Sequence, residues 1–279
     1  MIRAPGSLEV SPLLRRLVRA FAPVVLSAAL LAPPAAAPAI AAPTTALAVY
    51  SVFMGGTQVA KVTISLADDA GKYQMNLDAH VSGLASLVAS GTATAVSKGR
   101  ATSTGYRADS FEMDSRASGG SAHVDISYSY GNVESFVVTP PVLDTPDRVP
   151  IERRQLVGNL NDMLAAFVLK ARGLDKSLCS RRLEIFTGIE RYNLNLSYAR
   201  DDEATSKRSD YRGPLVACQV RYQPISGHYQ MPATAELADN QQILLWYAPL
   251  FETGLFIPYR ALVATESGDL SIVLTRLSQ

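Results

Sequence analysis

"TQVAKVTISLADDAGKYQMNLDAHV", residues 57–81, decides the fold class. In an extended chain Val59, Lys61, Thr63 and Ser65 fall on one side, and Ala60, Val62, Ile64 and Leu66 on the other. Successive side chains of a strand point to opposite faces, so a period of two marks a strand with one face buried. Asp68, Asp69, Ala70 and Gly71 then break the pattern with turn-forming residues. Tyr73, Met75 and Leu77 resume it. Strand, tight turn, strand is the unit of an antiparallel meander.

The same unit extends in both directions. Upstream, "ALAVYSVFMGG" supplies an opening strand that ends in Gly55-Gly56. Downstream, residues 91–141 are rich in Thr, Ser and Gly and are punctuated at Lys98-Gly99, Gly119-Gly120 and Gly131-Asn132. Val124, Ile126, Tyr128 and Tyr130 share a face there, which predicts a sheet with one dry and one wet side. Pro140, Pro141, Pro146 and Pro150 exclude a regular element and predict a surface loop.

The period then changes. In "RRQLVGNLNDMLAAFVLKARG", Leu156, Leu160, Met163, Leu164, Phe167 and Val168 stand at helical spacing, with Lys170, Arg172 and Gly173 as a stop. This spacing predicts the main helix, over about 154–171, with its apolar stripe on the open face of the sheet. Strand patterns return over 181–187, 190–199, 212–223, 241–247 and 256–277, and "ARDDEATSKRSD" reads as a charged, solvated hairpin loop. The fold class is therefore mainly β: a large antiparallel curved sheet or half-open β-barrel with one main α-helix. Sheets of this size curl or close to hide their edges. A β-sandwich is the alternative.

The first residues do not belong to this pattern. Arg3, Arg15, Arg16 and Arg19 precede "AFAPVVLSAALLA", and small residues lead to Ala39-Ile40-Ala41. A basic start, a short apolar run and a small-residue cut describe a secretory signal peptide. The reading is a leader over 1–41, cleaved near Ala41, and a single exported domain over 42–279 in the periplasm. Pro33 and Pro34 break the apolar run short of the about 20 helical residues a bilayer needs. No span is expected after cleavage. Of 279 residues 48% are hydrophobic and 18% charged, with a net charge of +1; this balance excludes the basic face of a nucleic-acid binder.

Chemistry is sparse. The chain has two cysteines, Cys179 and Cys218. In an oxidising compartment an even pair predicts a disulfide, worth about 4 kcal/mol for a loop of this length. A Cys-x-x-Cys redox motif and a four-ligand zinc pattern are both missing, so no metal or other cofactor is expected. His80, His123 and His228 lie in separate strand regions. A hydrolase would need one of them beside a Ser or carboxylate in a cleft, and no nucleophile motif is present. The chain reads as a non-enzymatic protein. Phe186, Tyr192, Trp246 and Tyr259 are candidates to line a cavity at the mouth of the curved sheet, with the helix as a lid. Arg221 and Arg260 are candidates to meet an anionic head group. The expected role is to bind an apolar or lipid-like ligand, or a partner protein; a purely structural envelope module and an unrecognised hydrolase are the alternatives.

Four blocks carry a resemblance: "VYSVFMGGTQVAKV" at 49–62, "LNDMLAAFV" at 160–168, "SLCSRRLEIFTGIERYNLNL" with "GPLVACQVRYQPISGHY", and "LLWYAPLFETGLFIPYRALV" at 244–263. Together they resemble the bacterial exported-protein family called domain of unknown function 3108, with the third block closest to the alphaproteobacterial form. The resemblance implies a periplasmic or envelope location and an all-β curved sheet. It implies no activity.

Overall fold

The structure is a computed structural model that describes residues 43–83, 86, 90–265 and 268–279. The expected leader lies outside the described residues.

The opening motif folds as the alternation demands. Strands β1 (Thr44–Met54), β2 (Thr57–Asp69) and β3 (Lys72–Val81) pair antiparallel in sequence order. Between β2 and β3, Ala70 and Gly71 take φ of 50° and 79°. Left-handed conformations at both central positions match the twist of the flanking strands. The Asp68 carboxylate accepts from the Gly71 amide at 3.1 Å and fastens the turn. The meander continues through β4 (Gly91–Ala101), β5 (Tyr106–Ala117), β6 (Gly120–Ser129) and β7 (Asn132–Thr139). Its inward residues, among them Tyr73, Met75, Phe111, Val124 and Ile126, form one apolar core.

A second meander occupies the later chain. It comprises β10 (Arg182–Phe186), β11 (Arg191–Glu203), β12 (Pro214–Ser226), β13 (Ile243–Pro249), β14 (Leu255–Val263) and β15 (Leu270–Ser278). Strand β15 pairs with β1, so the two meanders merge into one sheet that curls into a nearly closed barrel. The sandwich alternative is excluded, because all fifteen strands among the described residues belong to this sheet. Strand β8 (Leu160–Asn161) adds a parallel contact at the β10 edge, and β9 (Leu169–Lys170) pairs with β14.

The predicted helix over 154–171 is not formed. That stretch holds 3₁₀ turns at Arg153–Leu156 and Ala165–Phe167, and the two short strands β8 and β9. Two causes are visible. Asn161 and Asp162 give their side chains to backbone groups, which competes with helical pairing. Asn161 donates to the Tyr106 carbonyl at 2.8 Å and accepts from the Ala108 amide at 2.9 Å, standing in for a strand partner of β5. The apolar residues also do not share one face. Leu160, Leu164 and Val168 enter the larger core, which the first meander shares with Leu215, Trp246 and Ile257 of the second; Ala166, Leu169, Leu178 and Cys179 enter a second core with Val216, Leu245 and Tyr247. Residues 157–181 thus form an irregular strap between the two halves of the sheet. The α-helix among the described residues is α1 (Pro232–Asp239), with Pro232 at its first position, where the missing N–H costs nothing.

Candidate functional site

The strap is held by buried polar contacts. Asp162 is fully buried, and its carboxylate accepts from the Leu164 and Ala165 amides at 2.6 and 2.8 Å and from the Ser97 hydroxyl at 2.6 Å. The Tyr73 hydroxyl meets Ser97 at 2.9 Å, and its ring stacks on Tyr106 at 4.3 Å. No cation pairs with Asp162 among the described residues, and burial outweighs its hydrogen bonds to raise its pKa. Close approach fixes the far end. A Cβ on Gly105 would lie 2.3 Å from the Val168 carbonyl, and Gly105 has φ of 151°, so only glycine fits.

The disulfide pins the same strap. Cys179 and Cys218 are bonded, their Cα atoms 5.2 Å apart, and both are fully buried in the second core. The bridge therefore ties the strap to the middle of β12. The charged stretch beyond β11 is not a free loop. Ala204 and Ser209 are buried, and the Asp210 amide donates to the Thr275 carbonyl at 3.0 Å.

Between strap and sheet lies a cavity of about 290 Å³. Its walls are Ala46, Ala48 and Tyr50 of β1, Val62, Ile64 and Leu66 of β2, Met75 and Leu77 of β3, residues of β13–β15, and Met163, Leu164, Phe167 and Val168 of the strap. Every lining side chain is apolar except Tyr50, whose hydroxyl is already bound to the Pro258 carbonyl at 2.9 Å.

The six candidate ligand residues divide between places. Trp246, Tyr259 and Arg260 do converge, in a separate cavity of about 390 Å³. There the Arg260 and Arg200 guanidiniums lie 5.2 and 5.6 Å from the Trp246 ring, and the indole N–H donates to Asp202 at 2.8 Å. That bond, first, holds the Asp202 carboxyl below its ordinary range. Phe186 is core: it is fully buried, and its ring meets Phe136 edge-on at 5.0 Å. Tyr192 packs on Tyr222 at 5.4 Å, and Arg221 sits opposite Asn195 on β12; neither lines the apolar cavity. None of the four expected aromatic residues lines that cavity; its walls are mostly aliphatic, with Tyr50 and Phe167 as the aromatic members. The alternation of Val62, Ile64 and Leu66 carried its signal: all three line the cavity, Leu66 buried and the other two half-buried.

The histidines do not converge. His123 Nδ1 lies 3.0 Å from Asp114, with Glu112 beside them on the exposed face of β5 and β6. Among the described residues no hydroxyl bonds to this imidazole, so a base–orienter pair is present without a bonded nucleophile. His80 lies 3.8 Å from Asp78, and the His228 carbonyl accepts from Val149.

A family model for a protein of unknown function, DUF3108, matches residues 49–275. Among solved structures, the chain is similar to the crystal structure of a beta-barrel-like protein of domain of unknown function DUF1849 from Brucella abortus. The two share 9% identity with a TM-score of 0.50, over 84% of this chain and 97% of that one, which shows the fold alone. No curated protein matches the chain. No helix among the described residues is long and apolar enough to cross a membrane.

Proposed function

Because the chain belongs to the DUF3108 family, whose name carries no activity, we propose a role from the lumen itself: a non-enzymatic periplasmic protein that holds an apolar, lipid-like ligand between strap and sheet. The observation that carries this reading is the apolar cavity of about 290 Å³. A well-packed interior leaves few voids larger than a water molecule. This space stands at the lower end of ligand cavities, about 300–1,000 Å³. It suits one acyl chain, with any polar head outside. The lining offers no free donor, so recognition is by shape and burial. The buried disulfide and the leader-like first residues support an oxidising compartment.

Native mass spectrometry of the protein purified from periplasm, followed by lipid extraction, tests this. One bound lipid per chain is expected. Ala261→Phe, which fills the cavity, should abolish that mass while the protein stays folded. A clean unliganded mass, together with no uptake of a fluorescent fatty acid, overturns the reading.

A second reading, a partner-binding module, draws on β7. Its outer edge carries no ladder among the described residues, and Val137 on it is 56% exposed. Such an edge accepts an added strand. A co-purifying protein lost on Val137→Pro, with no lipid, would favour it.

A further inference from the structure

The strap has a second side, and the chemistry there is opposite. A cavity of about 710 Å³ lies between the chain at 102–107 and residues 159–184, well inside the usual range for ligand sites. Arg107, Arg181, Arg182 and Glu184 all line it. Glu184 is already engaged: one carboxylate oxygen meets Arg182 at 2.9 Å and the other meets Arg191 at 3.0 Å. Among the described residues neither Arg107 nor Arg181 is within ion-pairing distance of a carboxylate. Arg107 sits opposite Arg100 in the ladder, and the nearby Asp109 is taken by Arg100 at 3.0 and 3.2 Å.

Arg181 is the more telling of the two. It donates to the carbonyls of Thr104 and Lys170 at 2.6 and 2.7 Å. A guanidinium has five N–H donors, so three remain. Cys179, two residues before it, is locked to β12 by the disulfide, which holds Arg181 beside the cavity. Partial burial also lowers its pKa. Keeping an unpaired charge half-buried costs stability unless something compensates it.

We propose that this cavity is a binding site for a phosphate-type oxyanion, with Arg107 and Arg181 as its two cationic walls. Guanidinium geometry fits such oxygens in pairs. The site is separate from the apolar cavity and does not depend on lipid being held there. Its anion is a free phosphate compound or the head group of a phospholipid.

Titration calorimetry of the purified protein with inorganic phosphate and with glycerol phosphate, and flotation with phosphatidylglycerol vesicles, tests the proposal. Saturable one-to-one binding is expected, weakening as salt rises. Arg107→Gln should weaken it about tenfold or more, the scale of one lost charged hydrogen bond. Arg181→Gln should do the same, and Arg276→Gln on the exposed face of β15 should change nothing. Among the described residues the Arg107 side chain bonds to no backbone group, so its variant keeps the test valid if Arg181→Gln unfolds. Binding of the soluble compounds identifies a free anion; binding of vesicles alone, lost in Arg107→Gln, identifies a head group. No binding in any arm, or binding that Arg107→Gln leaves unchanged, overturns the proposal.

Discussion

In β3, buried and exposed residues take turns: Tyr73 and Met75 are covered, while Lys72, Gln74 and Asn76 face solvent. In β12 and β13 burial is continuous, from Leu215 to Cys218 and from Leu245 to Ala248. The ladders are alike; the surroundings are not. The first meander has one wet face. The second has the strap on one side and residues 204–212 folded against the other, where Tyr211 meets Tyr259 at 5.9 Å. A sheet covered on both faces needs apolar residues at every position. The apolar cavity and the arginine-lined cavity both border the strap, so the segment with the least regular sequence pattern forms one wall of each.

Removing the disulfide should affect this contrast most. Cys179→Ser with Cys218→Ser is expected to cost about 4 kcal/mol in urea denaturation, from the loop it closes. Amide exchange should rise first in residues 160–181, with β3–β5 protected. Equal loss in both meanders would show that the strap and the first meander open together.

Leu160→Ala comes next. This fully buried side chain joins the strap to the larger core, which both meanders share. A loss of about 3 kcal/mol is expected from the cavity created. A loss under about 1 kcal/mol would mean that the site collapses and the strap is loosely packed.

Asp162 then separates charge from hydrogen bonding. Asp162→Ala leaves the Leu164 and Ala165 amides without an acceptor and should cost about 2 kcal/mol. Asp162→Asn keeps an acceptor and removes the charge. Since burial raises the folded-state pKa above the unfolded value, the folded state retains the proton longer. The stability it contributes is complete below the ordinary Asp value of about 3.9 and falls as pH rises through the folded value. Melting scans across that window should fall in the native protein and be flatter in Asp162→Asn. Parallel curves would dismiss Asp162 as the titrating group. At the small end, Gln74→Ala on the wet face of β3 should change stability by no more than about 0.5 kcal/mol.

The same contrast governs what could be read from the chain. Residues 57–81 announced their strands, turn and buried face because one face meets water. Residues 156–168 misled, since a segment buried on two sides scatters its apolar residues at intervals that imitate a helix. Asn161 and Asp162 were the signal against it, sitting mid-stripe where a helix tolerates them poorly. The cysteine pairing, which the structure shows, was legible from the even number of cysteines and the expected compartment. The arginine-lined cavity was not, because Arg107 and Arg181 are 74 positions apart and meet only through the strap. Trp246, Tyr259 and Arg260 did meet, being neighbours in one ladder.

The pairing of β1 with β15 has a kinetic side. Ser51 lies opposite Val273, so the first and last of the described strands adjoin in the middle of the sheet, while its edges, β7 and β8, come from between them. Contacts so far apart in sequence form slowly, after the entropy of a long loop has been overcome. Until β15 arrives, β1 is an unpaired, largely apolar edge, a template for adhesion to other chains. Assembly of this protein is thus a race between its last strand and its neighbours, and dilution or a chaperone that shields β1 should decide the yield.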